Sequence, residues 1–195
     1  MLEFTNIQVY NLKESIIACR YAMKTKMPEM TEEEFQAALP RARALAKAGG
    51  GSGHTSFRKG ILVSFDMKYT QYITKQFQRY HWFEYVTSSS LMHRITKMNF
   101  DECCNKYVTP ESKTQMKALI LAHRENPTYE NFMKVISNCP MGVELFVRIT
   151  TSYEQLATIY RQRLHHKLKE DYGAFVDMVK SLPYSELIIT EKNDK

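Results

Sequence analysis

The chain has 195 residues, 27 Lys plus Arg against 21 Asp plus Glu for a formal charge of +6, 44% hydrophobic and 12% aromatic residues, 7 Gly and 6 Pro. That length can bury one sizeable core, and so ordinary an apolar share excludes disordered, collagen-like and solenoid classes. No apolar run approaches the roughly 18 residues of a membrane span, and the N-terminus has no basic-then-apolar signal pattern, so a cytoplasmic protein is expected. Cys19, Cys103, Cys104 and Cys139 form no CxxC pair. They read as free thiols in a reducing compartment, with no metal site. The cations are scattered among acids without a Lys/Arg block, which speaks against nucleic acid as the partner and leaves a small phosphorylated ligand.

Residues EFTNIQVYNL, rich in β-branched and aromatic side chains, predict an opening strand, and LKESIIACRYAMKT switches to helical spacing. Thr31 and Glu34 form a capping box for a helix stopped by Pro40, with a second short helix ending at Gly49. Gly49-Gly50-Gly51-Ser52-Gly53 is either a linker or a ligand-facing loop, because glycines let backbone amides approach a ligand closely. GILVSFDM reads as a central strand with apolar residues on both faces, KYTQYITKQFQRYHWF as a helix, and EYVTSSSLMHRITKM as a strand or loop. From Pro110 the pattern is mainly helical: ESKTQMKALILAHREN, TYENFMKVISN stopped at Cys139-Pro140, SYEQLATIYRQRLHH with Ser152 and Gln155 as a cap, and EDYGAFVDMVKSL. The expectation is one α+β domain over residues 1–188, a small mainly antiparallel sheet with several helices, followed by a polar tail, 189–195.

No GxSxG, HExxH, Walker loop or GxGxxG is present, so function must come from a less general constellation. Three clusters carry candidate chemistry: Gly53-His54-Thr55-Ser56; Gln76-x-x-Arg79-Tyr80-His81 running into Ser88-Ser89-Ser90-Leu91-Met92-His93-Arg94; and Arg161-Gln162-Arg163-Leu164-His165-His166. Each has a plainer reading: a loop histidine, a hydroxyl-rich turn, and cations that complement a helix C-terminus. Adjacent helical histidines point about 100° apart and make a poor metal pair. The functional reading is that guanidinium groups, hydroxyls and amides from separate segments converge on the phosphate and base of a nucleotide.

In this order of elements, with these clusters, the chain resembles the flavin-dependent thymidylate synthases over roughly residues 1–188. That resemblance implies a homotetrameric α+β enzyme using FAD, NADPH and methylenetetrahydrofolate to methylate dUMP. It implies FAD contacts for His54, Ser56 and Arg79. Gln76, Arg79, Ser89 and Ser90 become contacts to a dUMP-like pyrimidine nucleotide, Ser89 at its phosphate, and Arg163 the catalytic residue that orients the uracil.

The departures are specific. Of the signature RHRxxSxNExSxR, only Arg79 and Ser89 stay in register; Tyr80 stands for a flavin-side histidine, Val86-Thr87 for Asn-Glu and Leu91 for the last arginine, and Ile136 for a further arginine. Two missing phosphate-binding arginines remove about 1.5–3 kcal/mol each, or about two orders of magnitude or more in affinity. Arg94 and His93 are the nearest replacements. Two functions remain: a divergent synthase methylating or hydroxymethylating a pyrimidine deoxynucleotide, or a non-catalytic homo-oligomeric binding protein of the same fold. In the latter, Tyr72, Phe77, Tyr80, Trp82, Phe83 and Tyr85 serve as core or interface.

Overall fold

A computed structural model describes residues 1–48 and 53–190. Most of the glycine-rich stretch, Gly49 to Ser52, and the tail from 191 lie outside the described residues. Four strands, β1 (Glu3–Tyr10), β2 (Leu62–Thr70), β3 (Phe83–Ser88) and β4 (Glu144–Ser152), form one sheet in the order β1-β2-β4-β3. Every neighbouring pair is antiparallel. The helices are α1 (Leu12–Ala18), α2 (Glu32–Ala46), α3 (Gln71–Phe77), α4 (Leu91–Arg94), α5 (Pro110–Glu125), α6 (Tyr129–Ser137), α7 (Tyr153–Arg163) and α8 (Lys169–Ser181). Among the described residues no helix is long and apolar enough to cross a membrane.

Strict alternation builds the two central strands. Val63, Phe65, Met67 and Tyr69 of β2 and Leu145, Val147 and Ile149 of β4 are buried on one face, while Asp66, Lys68, Phe146 and Arg148 point to the other. α3 and α8 cover the buried face: Phe77 stacks on Phe83 at 4.7 Å between ring centres and meets Phe175 at 5.9 Å. Burying each such ring contributes on the order of 1.5–3 kcal/mol. The opposite face carries ion pairs, Arg148 to Asp66 at 3.2 Å and Lys68 to Glu144 at 3.5 Å.

Connectivity then sets where function can sit. In the antiparallel β2–β4 pair, Thr70 faces Glu144 and Leu62 faces Ser152. The two strands therefore hand over to α3 and α7 at opposite ends of the sheet. α3 returns the chain along the core, so β3 starts opposite Thr151, beside the start of α7. Thr31 and Ser152 cap α2 and α7, their hydroxyls accepting the Glu34 and Gln155 amides at 3.2 and 3.3 Å. At Gly60 an added Cβ would lie 2.4 Å from Ser15 Oγ, so glycine allows the segment before β2 to approach α1.

Three expectations are corrected. β4 replaces what reads as a gap between helices, because Leu145, Val147 and Ile149 alternate across a sheet that needs a second central strand. Pro40 does not stop its helix: α2 runs unbroken from Glu32 to Ala46, with Phe35, Ala38, Leu39, Ala42 and Ala46 buried on both sides of it. That continuous apolar stripe outweighs the missing amide. The third helix is also shorter at both ends, since Lys68 to Thr70 extend β2 and Phe83 opens β3.

Pro40 is solvent-exposed in the helix interior. Replacing it by alanine restores the bond to the Gln36 carbonyl, so Pro40→Ala is expected to raise the unfolding free energy by about 1–3 kcal/mol in urea titration. An unchanged or lower midpoint would mean that the proline costs α2 nothing in this setting.

Candidate functional site

The turn from Arg79 to Trp82 joins α3 to β3 and lies against α7, where a set of bonds fixes one arginine. Arg163 Nε donates to the Tyr80 hydroxyl oxygen at 2.9 Å, and that hydroxyl donates to Gln162 Oε1 at 2.9 Å. The guanidinium carbon is 5.6 Å from the Tyr80 ring centre and 5.0 Å from that of Tyr172. Cation–π contacts of this kind are worth about 0.5–2 kcal/mol, and they also fix the plane of the cation. Tyr172 in turn donates to Gln76 Oε1 at 2.9 Å, and burial pushes its phenol up to about 12 although Arg163 pulls it down. The open basin above is about 550 Å³, lined by Arg79, His81, Gln155, Thr158, Gln162 and Arg163.

A cleft of about 480 Å³ continues from it across Gln155 and Thr158, bounded by Leu62, Trp82, Glu84, Thr150, Lys59 and Glu154. The Trp82 side chain is 63% exposed while its backbone is held at both ends. Thr151 Oγ1 donates to its carbonyl at 2.6 Å and its amide donates to Gln155 Oε1 at 3.3 Å. An indole so presented is a stacking surface for a flat ring.

The Ser56–Lys59 turn docks on the first turn of α7. Thr55 donates to Glu154 Oε1 at 3.0 Å, and Arg58, 1% exposed, lies 3.6 Å from Glu154 Oε2 and donates to the Ala46 carbonyl. Burial holds the Arg58 pKa down and the Glu154 carboxylate opposes that shift. Among the described residues Arg58 Nε has no partner. His54 and Ser56 are on the other side of this turn, beside a separate hollow of about 400 Å³ with Cys19, Arg41 and Phe57, and Ser56 donates to the Gly53 carbonyl at 2.7 Å. Gly53, at φ 75°, makes that turn with a backbone that favours glycine.

Within one chain, then, Arg79 and Arg163 share a basin, and Gln76 stands behind Arg163 through Tyr172. The serines lie elsewhere: β3 separates Ser89 from the Arg79 turn by six residues, roughly 20 Å. Ser89 exchanges backbone and hydroxyl bonds with Phe146 at 2.8 and 3.1 Å, and Ser90 Oγ accepts the His93 amide at 3.3 Å as the cap of α4. Arg94 is stacked 5.5 Å over Phe146. His166 packs against Tyr172 and accepts the Leu168 amide at 3.2 Å, and burial lowers its pKa. Burial pushes the Cys104 thiol up to about 12 and Cys139 to about 11, which keeps both protonated at neutral pH. Tyr172 is a site residue the sequence reading did not single out, and Gln162, Gln155 and Trp82 read there only as a cluster neighbour, a helix cap and a core or interface ring. Gln155, Thr158 and Gln162 recur at i, i+3 and i+7, a polar stripe that marks one face of α7.

An antiparallel four-stranded sheet with α3 and α8 on one face, and a basic basin where the α3–β3 turn meets α7, define the class of fold. The fold is that of the flavin-dependent thymidylate synthases. A crystal structure of thymidylate synthase X (ThyX) from Helicobacter pylori with FAD and dUMP superposes with a TM-score of 0.70 at 14% identity, covering 98% of each chain. A second, flavin-dependent thymidylate synthase ThyX from Helicobacter pylori complexed with FAD and dUMP, gives 0.66 at 13% identity over 96% of this chain and 98% of that one. No family model and no curated protein matches the sequence.

Removing Glu154 leaves the Arg58 cation buried without its carboxylate. Glu154→Ala is expected to cost roughly 3 kcal/mol of stability by denaturant unfolding, and a double variant with Arg58→Met to be more stable than that single one. A single variant as stable as the parent would show that the pair does not anchor the turn.

Proposed function

We propose that this protein is a divergent, cytoplasmic relative of the flavin-dependent thymidylate synthases, one domain over residues 1–188, that binds a pyrimidine deoxynucleotide in the Arg79–Arg163 basin. One observation carries the reading: two arginines from distant segments meet in one basin, and Arg163 is immobilised by Tyr80 and Tyr172 before any ligand arrives. A fixed planar cation loses less entropy on binding an acceptor than a free one. The fold neighbours, whose crystal structures hold FAD and dUMP, add support.

The residues present fit FAD in part. One face of Trp82 and the side chains of Lys59, Thr158 and His81 are the groups available to it beside a bound nucleotide, while Glu154 is offset by Arg58. If FAD is held, these residues hold it, and hydride delivery is the chemistry it supplies. Methylation or hydroxymethylation of the base further requires NADPH and methylenetetrahydrofolate. His54 and Ser56 face a different hollow, so their role as FAD contacts belongs to a homotetramer in which neighbouring copies border the groove. Arg163 orients the base or its phosphate in either case.

A second reading, nucleotide binding without catalysis, is favoured by the apolar Leu91 and Ile136, where the resemblance calls for arginines. The two separate in one series. A flavin-band shift on adding FAD, further altered by dUMP, and a tetramer by light scattering are expected for the first. A colourless protein that still binds dUMP leaves the second, and no dUMP binding at all removes both. Arg163→Ala is expected to weaken dUMP binding by about 10- to 100-fold while the protein stays folded. Unchanged affinity would refute its role.

A further inference from the structure

Three of the acceptors that line the basin are already engaged by the protein itself. Gln162 Oε1 accepts the Tyr80 hydroxyl, Gln155 Oε1 accepts the Trp82 amide, and the Tyr80 oxygen accepts Arg163 Nε. Thr158 donates its hydroxyl to the Glu154 carbonyl at 3.2 Å. What remains without a partner among the described residues is mainly a set of donors, the NH2 groups of Gln155 and Gln162, the Nη edge of Arg163 and the whole guanidinium of Arg79, with the His81 imidazole offering one nitrogen of each kind. Among the described residues no carboxylate lines the basin; Glu84 and Glu154 belong to the adjoining cleft. A hollow lined by two guanidinium groups and two free carboxamide NH2 groups suits a group that only accepts, and a phosphate monoester, with its charge and its acceptor oxygens, is that group.

The cleft beside it is complementary in a different sense. Trp82 and Leu62 give a flat apolar surface, and Glu84 and Thr150, opposite each other on β3 and β4, supply acceptors for a ring N–H. A uracil has an N–H between two carbonyls, and the Glu84 carboxylate of the cleft is a charged acceptor for it of a kind that the described lining of the basin lacks.

We propose that the basin is a phosphate site, and that the nucleotide lies with its phosphate on Arg79, Gln155, Gln162 and Arg163 and its base against Trp82 and Glu84. This rests on the nucleotide-binding reading above. It reverses the orientation that the resemblance implies, in which Arg163 meets the base and Ser89 the phosphate. Ser89 Oγ accepts the Phe146 amide and keeps its proton to donate, but Leu91 stands where the resemblance calls for the arginine beside it.

Trp82 is the only tryptophan in the chain, so its fluorescence reports directly on the cleft. Titrations with dUMP, deoxyuridine, FAD and inorganic phosphate, each repeated by calorimetry, separate the possibilities. The expected result is that dUMP and deoxyuridine both quench Trp82, with dUMP at least tenfold tighter. Inorganic phosphate should compete with dUMP and not with deoxyuridine. Gln162→Glu places a negative charge in the basin and keeps an acceptor for Tyr80; it should weaken dUMP at least tenfold and leave deoxyuridine within twofold. Arg79→Gln should act in the same direction. Equal affinity for dUMP and deoxyuridine, or a Gln162→Glu variant that binds dUMP as the parent does, would overturn the phosphate site while leaving nucleotide binding in place. Binding of phosphate or FAD alone, sensitive to Gln162→Glu, would keep the anion site and remove the pyrimidine nucleotide.

Discussion

The nine-residue antiparallel pairing of β2 with β4 determines where each candidate side chain can be. Both strands bury one face, so a slip of one residue would turn Phe65, Met67, Val147 and Ile149 to solvent, and the register is therefore firmly set. With the register set, α3 must start at one end of the sheet and α7 at the other. The return of α3 across the core then delivers Arg79, Tyr80 and His81 to α7. The basin is a consequence of that crossing, and no local motif encodes it.

Around the basin, the protein handles its charges in two ways. Arg58 is buried and matched by Glu154, an arrangement that joins the Ser56–Lys59 turn to the first turn of α7 and that is costly to break from one side. Arg79 and Arg163 are left without a carboxylate among the described residues, and Arg163 is held by aromatic faces instead. A cation kept in place but not neutralised retains its attraction for an anion. Under the proposed function those two positions give the chain's excess positive charge a role, whereas cations such as Lys24 and Lys106 are paired on the surface with Glu34 and Glu170.

Much of the architecture was legible from side-chain spacing. The opening strand, the central β2, the capped starts of α2 and α7 and the late helices follow from apolar periodicity and from Thr31 and Ser152, whose effects are local. β4 was hidden although Leu145, Val147 and Ile149 alternate, because its neighbours on both sides are helical and pairing partners are distant in sequence. Pro40 misled because a local rule, the loss of one amide, competes with a long buried stripe. Arg79 and Arg163 were visible as candidates. What hydrogen-bonds to Gln162, Gln155 and Ser89 was not, since each partner is at least fifty residues away, and those partners decide which groups remain free for a ligand.

Tyr80 shows the same point at one position. As a departure from a histidine it reads in the sequence as a loss, and in three dimensions it is the residue that fixes Arg163 and occupies Gln162. The most direct measurement is a crystal structure of the protein with 5-bromo-dUMP, in which bromine and phosphorus are located by anomalous scattering. Phosphorus between Arg79 and Arg163 with bromine beside Trp82 is the expected result. The base in the Arg79–Arg163 basin with the phosphate on Ser89 would contradict it.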